Sequence, residues 1–237
     1  MVEYFTELHA HTRESSTCAD LLASEVAERY VAEGYTTVVV TNHYNAYNLD
    51  LGGESWEDKI NHHLEGYRAM KEYARDRLCV LLGSELRFPE CDNDYLVFGI
   101  TEDFLLLHPD LHLMDLKSFS SLARLHGLLL IQAHPFRNGM KVMRPEYLDG
   151  VEVFNGHSGH HSRNDIAMAW AKKYGLIPTS GSDFHHPTQH GCGGIITNAP
   201  ITSSEELLRV LKSGDYSLRC AGPAAERDGM CNMPAKY

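Results

Sequence analysis

Tyr4-Phe5-Thr6-Glu7-Leu8-His9-Ala10-His11 decides the fold, because a strand-like run over Tyr4–Leu8 leads straight into a pair of imidazoles. Residues i and i+2 of an extended strand share one side, so His9 and His11 can face a single ion. A bare His-x-His also arises by chance in a His-rich chain, and the reading therefore rests on recurrence. Thr37–Val40 leads to Thr41-Asn42-His43, and Leu78–Leu82 leads to Gly83-Ser84-Glu85. Leu128–Ile131 leads to Gln132-Ala133-His134-Pro135, and Leu176–Pro178 to Gly181-Ser182-Asp183-Phe184-His185. Parallel strands that each bring imidazoles or a carboxylate to the same rim build a metal cluster, whose commonest chemistry is hydrolysis.

Between these runs the pattern turns helical. Leu22, Val26 and Tyr30 form an i, i+4 stripe across 20–33, closed by Gly34. Ser55 is placed to cap a helix running to about Asp76, with Ile60, Leu64, Tyr67 and Ala74 on one face. Further helices are expected over 115–126, 163–174 and 204–212, and further strands over 95–100, 151–154, 194–197 and 216–219. No repeat or linker interrupts this alternation, so residues 1–237 read as one α/β domain. Near-continuous apolar strands mean a parallel sheet covered on its outer side. Only closure brings first and last strands together, which favours a TIM-like barrel with the site at the C-terminal strand ends.

Composition limits the partners. The chain has 237 residues, 43% of them apolar, and no stretch approaches the roughly 20 apolar residues of a membrane span. Met1-Val2-Glu3 runs almost directly into the first strand, and a cytoplasmic location is the expectation. Six cysteines without a CxxC pair fit reduced thiols. A net charge of −11 argues against a surface for long nucleic acid, which is held by clustered Lys and Arg.

Individual residues sharpen the reading. Glu85 follows Val80-Leu81-Leu82-Gly83-Ser84, where burial makes a carboxylate costly unless a cation compensates. Asp183 and His185 repeat the i, i+2 spacing after Gly181. Arg137, three residues past His134, either grips a phosphate through its planar fork or is a solvated loop arginine. Glu152, Asn155 and His157 end another strand and are candidates to line the pocket, with Glu7 as outer support. Arg163 stands at a helix start, a setting that favours anions. Tyr44 and Tyr47 either stack on a substrate or cover the mouth, and His62 and His63 receive no role.

The motifs Glu7-Leu8-His9-Ala10-His11-Thr12, Thr41-Asn42-His43, Gly83-Ser84-Glu85, Ala133-His134-Pro135-Phe136 and Gly181-Ser182-Asp183-Phe184-His185 resemble the PHP family of polymerase and histidinol phosphatase domains. The resemblance spans nearly the whole chain in order and implies a distorted (β/α)7 barrel with a two- or three-metal centre hydrolysing phosphate esters. Carried over, His9, His11, Glu85 and Asp183 would hold one ion. Glu85 and His134 would share a second, and His43 and His185 a third.

Three positions depart from the pattern. A third-site ligand expected after the His-x-His falls on Cys18, which is either a thiolate ligand or an inert thiol. Gly99-Ile100-Thr101 lacks a ligand His, which weakens the second site, and Asn42 replaces a common Asp.

The function implied is a metal-dependent phosphoesterase acting on a small phosphomonoester, with two or three divalent ions (Zn, Mn or Fe). Arg137 would neutralise the phosphoryl group, Arg137, His157 and Arg163 would bind substrate, and Asp183, His185 or His157 would deliver the leaving group's proton. An amidohydrolase-like hydrolase and a catalytically idle metal-binding domain are the alternatives.

Overall fold

β1 (Tyr4–Ala10) pairs differently along its two halves, and that division shapes the whole sheet. The computed structural model describes residues 2–189 and 191–236. After β1 come α1 (Ala23–Ala32), β2 (Tyr35–Val40), β3 (His43–Tyr44), α2 (Ala46–Asp50), α3 (Trp56–Ala74), β4 (Cys79–Arg87) and β5 (Asp94–Phe98). α4 (Glu102–Leu107), α5 (Leu116–Leu125), β6 (Leu129–Gln132), β7 (Gly150–Asn155), α6 (Asn164–Tyr174) and β8 (Ile177–Gly181) continue the chain. β9 (Ile195–Thr197), α7 (Ser204–Ser213), β10 (Ser217–Leu218), α8 (Gly222–Asp228) and β11 (Met233–Pro234) complete it.

The strands form one curled sheet in the order β11-β10-β9-β1-β2-β4-β5-β6-β7-β8, with β3 added beside β4. Tyr4, Phe5 and Thr6 of β1 pair antiparallel with β9, which therefore occupies the edge that β8 would need for full closure. β8 meets β1 only at the rim. There the His11 N–H donates to the Phe184 carbonyl at 3.2 Å, and Ala10 bridges Phe184 in parallel.

Two features depart from the closed, parallel sheet that the strand pattern favours. Closure is confined to that rim contact, and β5 runs antiparallel to both β4 and β6. The reason lies in the short Phe88–Asn93 connection, which has no room for the crossover of a dozen or more residues that a parallel partner requires.

Helices form where the sequence caps them. Ser55, Asp115 and Ser203 accept the backbone N–H of Asp58, Ser118 and Glu206, opening α3, α5 and α7. Ile60, Leu64, Tyr67 and Ala74 are buried on one side of α3, as their spacing predicts. α2 and α4 span five and six residues, too few for a helical period to show in sequence. No helix among the described residues is long and apolar enough to cross a membrane.

α3 also holds the loop that follows β1. Its Gly66 N–H donates to Ser15 Oγ at 3.0 Å, and a Cβ on Gly66 would land on Thr12 Oγ1 and on Asn42 Nδ2. Gly→Ala inside a helix ordinarily stabilises by about 0.5–1 kcal/mol. Gly66→Ala should instead destabilise by ~1–3 kcal/mol through overpacking, read from the denaturant midpoint. A midpoint that stays or rises would show that the loop can retreat freely.

Candidate metal centre

Glu85 is the centre of the rim. Its carboxylate is 1% exposed, and neither oxygen has a hydrogen-bond partner. Oε1 lies 3.3 Å from His9 Nε2 and 3.3 Å from His134 Nε2, while Oε2 lies 3.4 Å from His11 Nε2 and 2.8 Å from His43 Nδ1. His9 Nε2, His11 Nε2 and His43 Nδ1 are likewise buried without hydrogen-bond partners. Asp183 Oδ1 closes the ring at 3.4 Å from His9 Nε2, 3.6 Å from His11 Nε2 and 3.2 Å from His185 Nδ1. Buried polar atoms are normally paired. A set of nitrogen and oxygen atoms aimed at one another without pairing fits divalent cations.

The donor atoms fall into three overlapping groups: His9, His11 and Asp183; His11, His43 and His185; and His43, Glu85 and Asp94. These groups take in six of the eight residues expected as ligands, while His134 joins them 3.3 Å from Glu85 Oε1 and Cys18 lies beside His43. Cys18 is exposed rather than buried, with Sγ 3.2 Å from His43 Nε2. Burial of the sulfur acts to raise its pKa, but hydrogen bonds to His185 and His43 prevail and bring it down to about 6. Burial likewise opposes ionisation of Glu85 and Asp183, yet His9 beside both, with His43 beside Glu85, holds each carboxyl well below the usual range.

A second tier of groups fixes the first. Glu152 Oε1 lies 2.8 Å from His9 Nδ1, a contact that orients the ring with Nε2 toward Glu85. Its Oε2 accepts from the His134 N–H at 2.9 Å, and Asn155 Nδ2 donates both to Glu152 Oε2 and to Asp183 Oδ2. His134 (φ 27°) and Asp183 (φ 51°) both sit in the left-handed region, a strain that persists where surrounding contacts enforce it.

Glu7 supports the site from below rather than lining it. It accepts from the backbone of Leu8, His9 and Ser182 and from the Ser182 and Tyr30 hydroxyls, tying β1 to the Asp183 loop. Asn42, in place of an Asp, accepts from Thr12 N–H and Ser16 Oγ–H and so supports the 12–16 loop without charge.

The antiparallel course of β5 resolves the apparent gap at Gly99-Ile100-Thr101, which lies at the opposite end of the sheet. The start of β5, Asp94, is the residue that reaches the rim. Sequence reasoning missed Asp94 and its bidentate partner Arg87, at 2.7 and 2.8 Å, because it searched only the ends of strands. Arg137 Nη2 approaches Asp94 Oδ2 to 3.6 Å, so two guanidinium groups share one carboxylate at the mouth.

Arg137, His157 and His160 line a cavity of about 300 Å³ over the metal centre. His160 stacks on His157 with ring centroids 4.3 Å apart. Arg163 does not line this cavity. Its guanidinium donates to the Phe136 carbonyl and to Asn138 Oδ1, both at 2.6 Å, and so braces the loop that presents Arg137. Tyr44 is fully buried and cannot stack on substrate, and His63 holds Ser84 Oγ at 2.8 Å from behind Glu85.

Residues 161–216 match a family model described as PHP-associated. The chain is similar to the PHP family over that stretch.

Among solved structures, this chain resembles a two-domain protein from Bacteroides vulgatus said to contain a predicted PHP-like metal-dependent phosphoesterase. The TM-score is 0.69 at 16% identity, covering 92% of this chain and 64% of that one. An amidohydrolase from Chromobacterium violaceum with bound sulfate scores 0.53 at 16% identity, covering 88% of this chain and 96% of that one. A lesion-specific endonuclease from Pyrococcus furiosus scores 0.60 at 15%, covering 92% and 58%. At these identities the likeness is one of fold, and the chain spans less than two thirds of the first and third of these proteins. No curated protein matches it.

The carboxylate behind His9 gives a direct test. Glu152→Gln keeps the shape but removes the charge that orients His9, and outer-shell partners of this kind are worth about 10–100-fold in metal affinity. Competitive metal titration should show a loss of that size with thermal stability of the metal-free chain little changed. Unaltered affinity would reduce Glu152 to a packing group.

Proposed function

We propose that the chain hydrolyses a small phosphomonoester with the help of two or three divalent ions. The observation that carries this reading is the buried, unpartnered Glu85 carboxylate between four imidazoles, beneath a mouth that holds two guanidinium groups. His9, His11, Glu85 and Asp183 would hold one ion, Glu85 and His134 a second, and His43 and His185 with Cys18 a third. Such ions supply Lewis acidity and a nucleophile from water at neutral pH.

The chain's own residues do the rest. Arg137, held toward the cavity by the loop that Arg163 braces, orients the phosphoryl oxygens with a planar fork. Asp183 is held ionised and its Oδ2 accepts from Asn155, so it balances the imidazoles and does not donate a proton. His185 faces Asp183 and Cys18. His157 is the remaining candidate: its Nδ1 accepts from the Gly159 N–H at 2.9 Å, which places its proton on Nε2. That proton is available to the leaving oxygen.

The amidohydrolase alternative is weaker on this chemistry, since no lysine lines the cavity among the described residues and Glu85 already stands between the sites. The net charge of −11 weighs against long nucleic acid, and no helix among the described residues is long and apolar enough to cross a membrane.

Metal-loaded protein should therefore release phosphate from simple monoesters. Arg137→Ala should cut turnover by about 10²–10³ without changing metal content, and Arg137→Lys should restore only part. No phosphate release from a monoester panel by protein shown to carry metal would overturn the proposal. His157→Asn should slow esters of aliphatic alcohols far more than p-nitrophenyl phosphate, whose leaving group needs no proton. Equal slowing would return His157 to a purely structural place.

A further inference from the structure

A second cavity, of about 520 Å³, adjoins the metal centre and shares Cys18, His43 and Arg87 with it. The two differ in chemistry. The metal cavity is walled by ionisable groups, among them Asp94, Arg137, His160 and Asp183. The second sets Tyr47, Phe88, Pro89, His112 and Leu113 beside the uncharged polar Thr17, Asn45 and Asn48. No Asp, Glu or Lys lines it among the described residues, and its one guanidinium, Arg87, is already spent on Asp94.

The lips of this cavity carry exposed apolar groups, with Tyr47 65% and Leu113 60% accessible. Tyr47 projects from α2, whose start is fixed where Asn45 accepts the Asn48 N–H. His112 lies parallel to Trp56 and has an Nδ1 buried without a partner, a polar atom beside the apolar Phe88, Pro89 and Leu113. Ring faces of this kind bind flat, uncharged groups through area and edge contacts. A second phosphate, or a continuing nucleic-acid backbone, would find no unpaired cation there.

We propose that this cavity receives the leaving group of the substrate, and that the substrate is the phosphomonoester of an uncharged, ring-bearing alcohol. The inference rests on the phosphomonoester reading above and names the substrate class for that site. Water adds to phosphorus, the P–O bond to the alcohol oxygen breaks, and that oxygen takes a proton and departs as the neutral alcohol. Continuity through Cys18, His43 and Arg87 sets the direction: phosphoryl group toward Arg137, ring toward Tyr47 and Leu113.

The test pairs 2-naphthylmethyl phosphate with ethyl phosphate, both esters of primary alcohols, and the matching non-hydrolysable phosphonates. For metal-loaded protein, both the ratio of kcat/KM values and the ratio of phosphonate affinities should favour the naphthyl compound by about tenfold or more, given the apolar area a bicyclic ring can bury. Leu113→Asp and Tyr47→Ala change exposed side chains, so the fold survives, and each should drive both ratios toward one. Turnover of both esters with ratios near one in the unaltered protein would overturn the ring pocket alone. Ratios untouched by either substitution would do the same. Preferential phosphonate binding without turnover of either ester would uphold the pocket and overturn the phosphatase reading.

Discussion

A carboxylate buried at 1% exposure with no hydrogen-bond partner is the constraint on which the rest of this structure depends. Left alone, an ionised Glu85 would be among the most expensive groups a core could hold, and an isolated charge of this kind neutralises or finds a counter-charge. Here four imidazoles surround it, and His9 and His43 hold its carboxyl ionised. Three of those imidazoles turn an unpaired nitrogen toward the same small volume. Protein groups alone leave this arrangement unsatisfied; divalent cations satisfy every atom in it at once.

The fold's irregularities serve that arrangement. Because β9 takes the lower half of β1, β8 can reach β1 only at the rim, where Phe184 bridges Ala10 and brings Asp183 and His185 over His9 and His11. Because β5 is reversed, the rim receives the start of a strand, Asp94, and with it the Arg87 fork. Glu7 and Glu152 then act as two buried anchors, one tying backbone to backbone and the other fixing imidazole orientation. Strain at His134 and Asp183 is the cost of holding those side chains inward against their own backbone preferences.

Much of this was legible in the sequence, and the limits were physical. His9, His11, His43, Glu85, His134, Asp183 and His185 were readable because each follows an apolar run, so local pattern and strand geometry name them together. Cys18 was found only as the nearest thiol to an expected position, and its exposure could not be read at all. Asp94 escaped because strand direction is a tertiary property: a run such as Tyr95–Phe98 reads the same parallel or antiparallel. The anchoring pairs Glu152–His9 and Arg163–Phe136 also join residues far apart in the chain, and no local signal encodes them. Short helices such as α2, which brings Tyr47 to the second cavity, carry too few residues to show a period.

The site therefore combines a cation-demanding floor, a guanidinium-bearing mouth and an uncharged neighbouring cavity, and each implies the others for a reaction that moves negative charge. The central claim is that Glu85 stands between bound metal ions. Anomalous X-ray scattering from crystals grown with zinc or manganese tests it most directly. The account predicts at least two peaks flanking Glu85, each about 2.0–2.3 Å from a carboxylate oxygen or imidazole nitrogen of the residues named here. No peak at Glu85, or a single peak that leaves His134 or His43 without an ion, would contradict it.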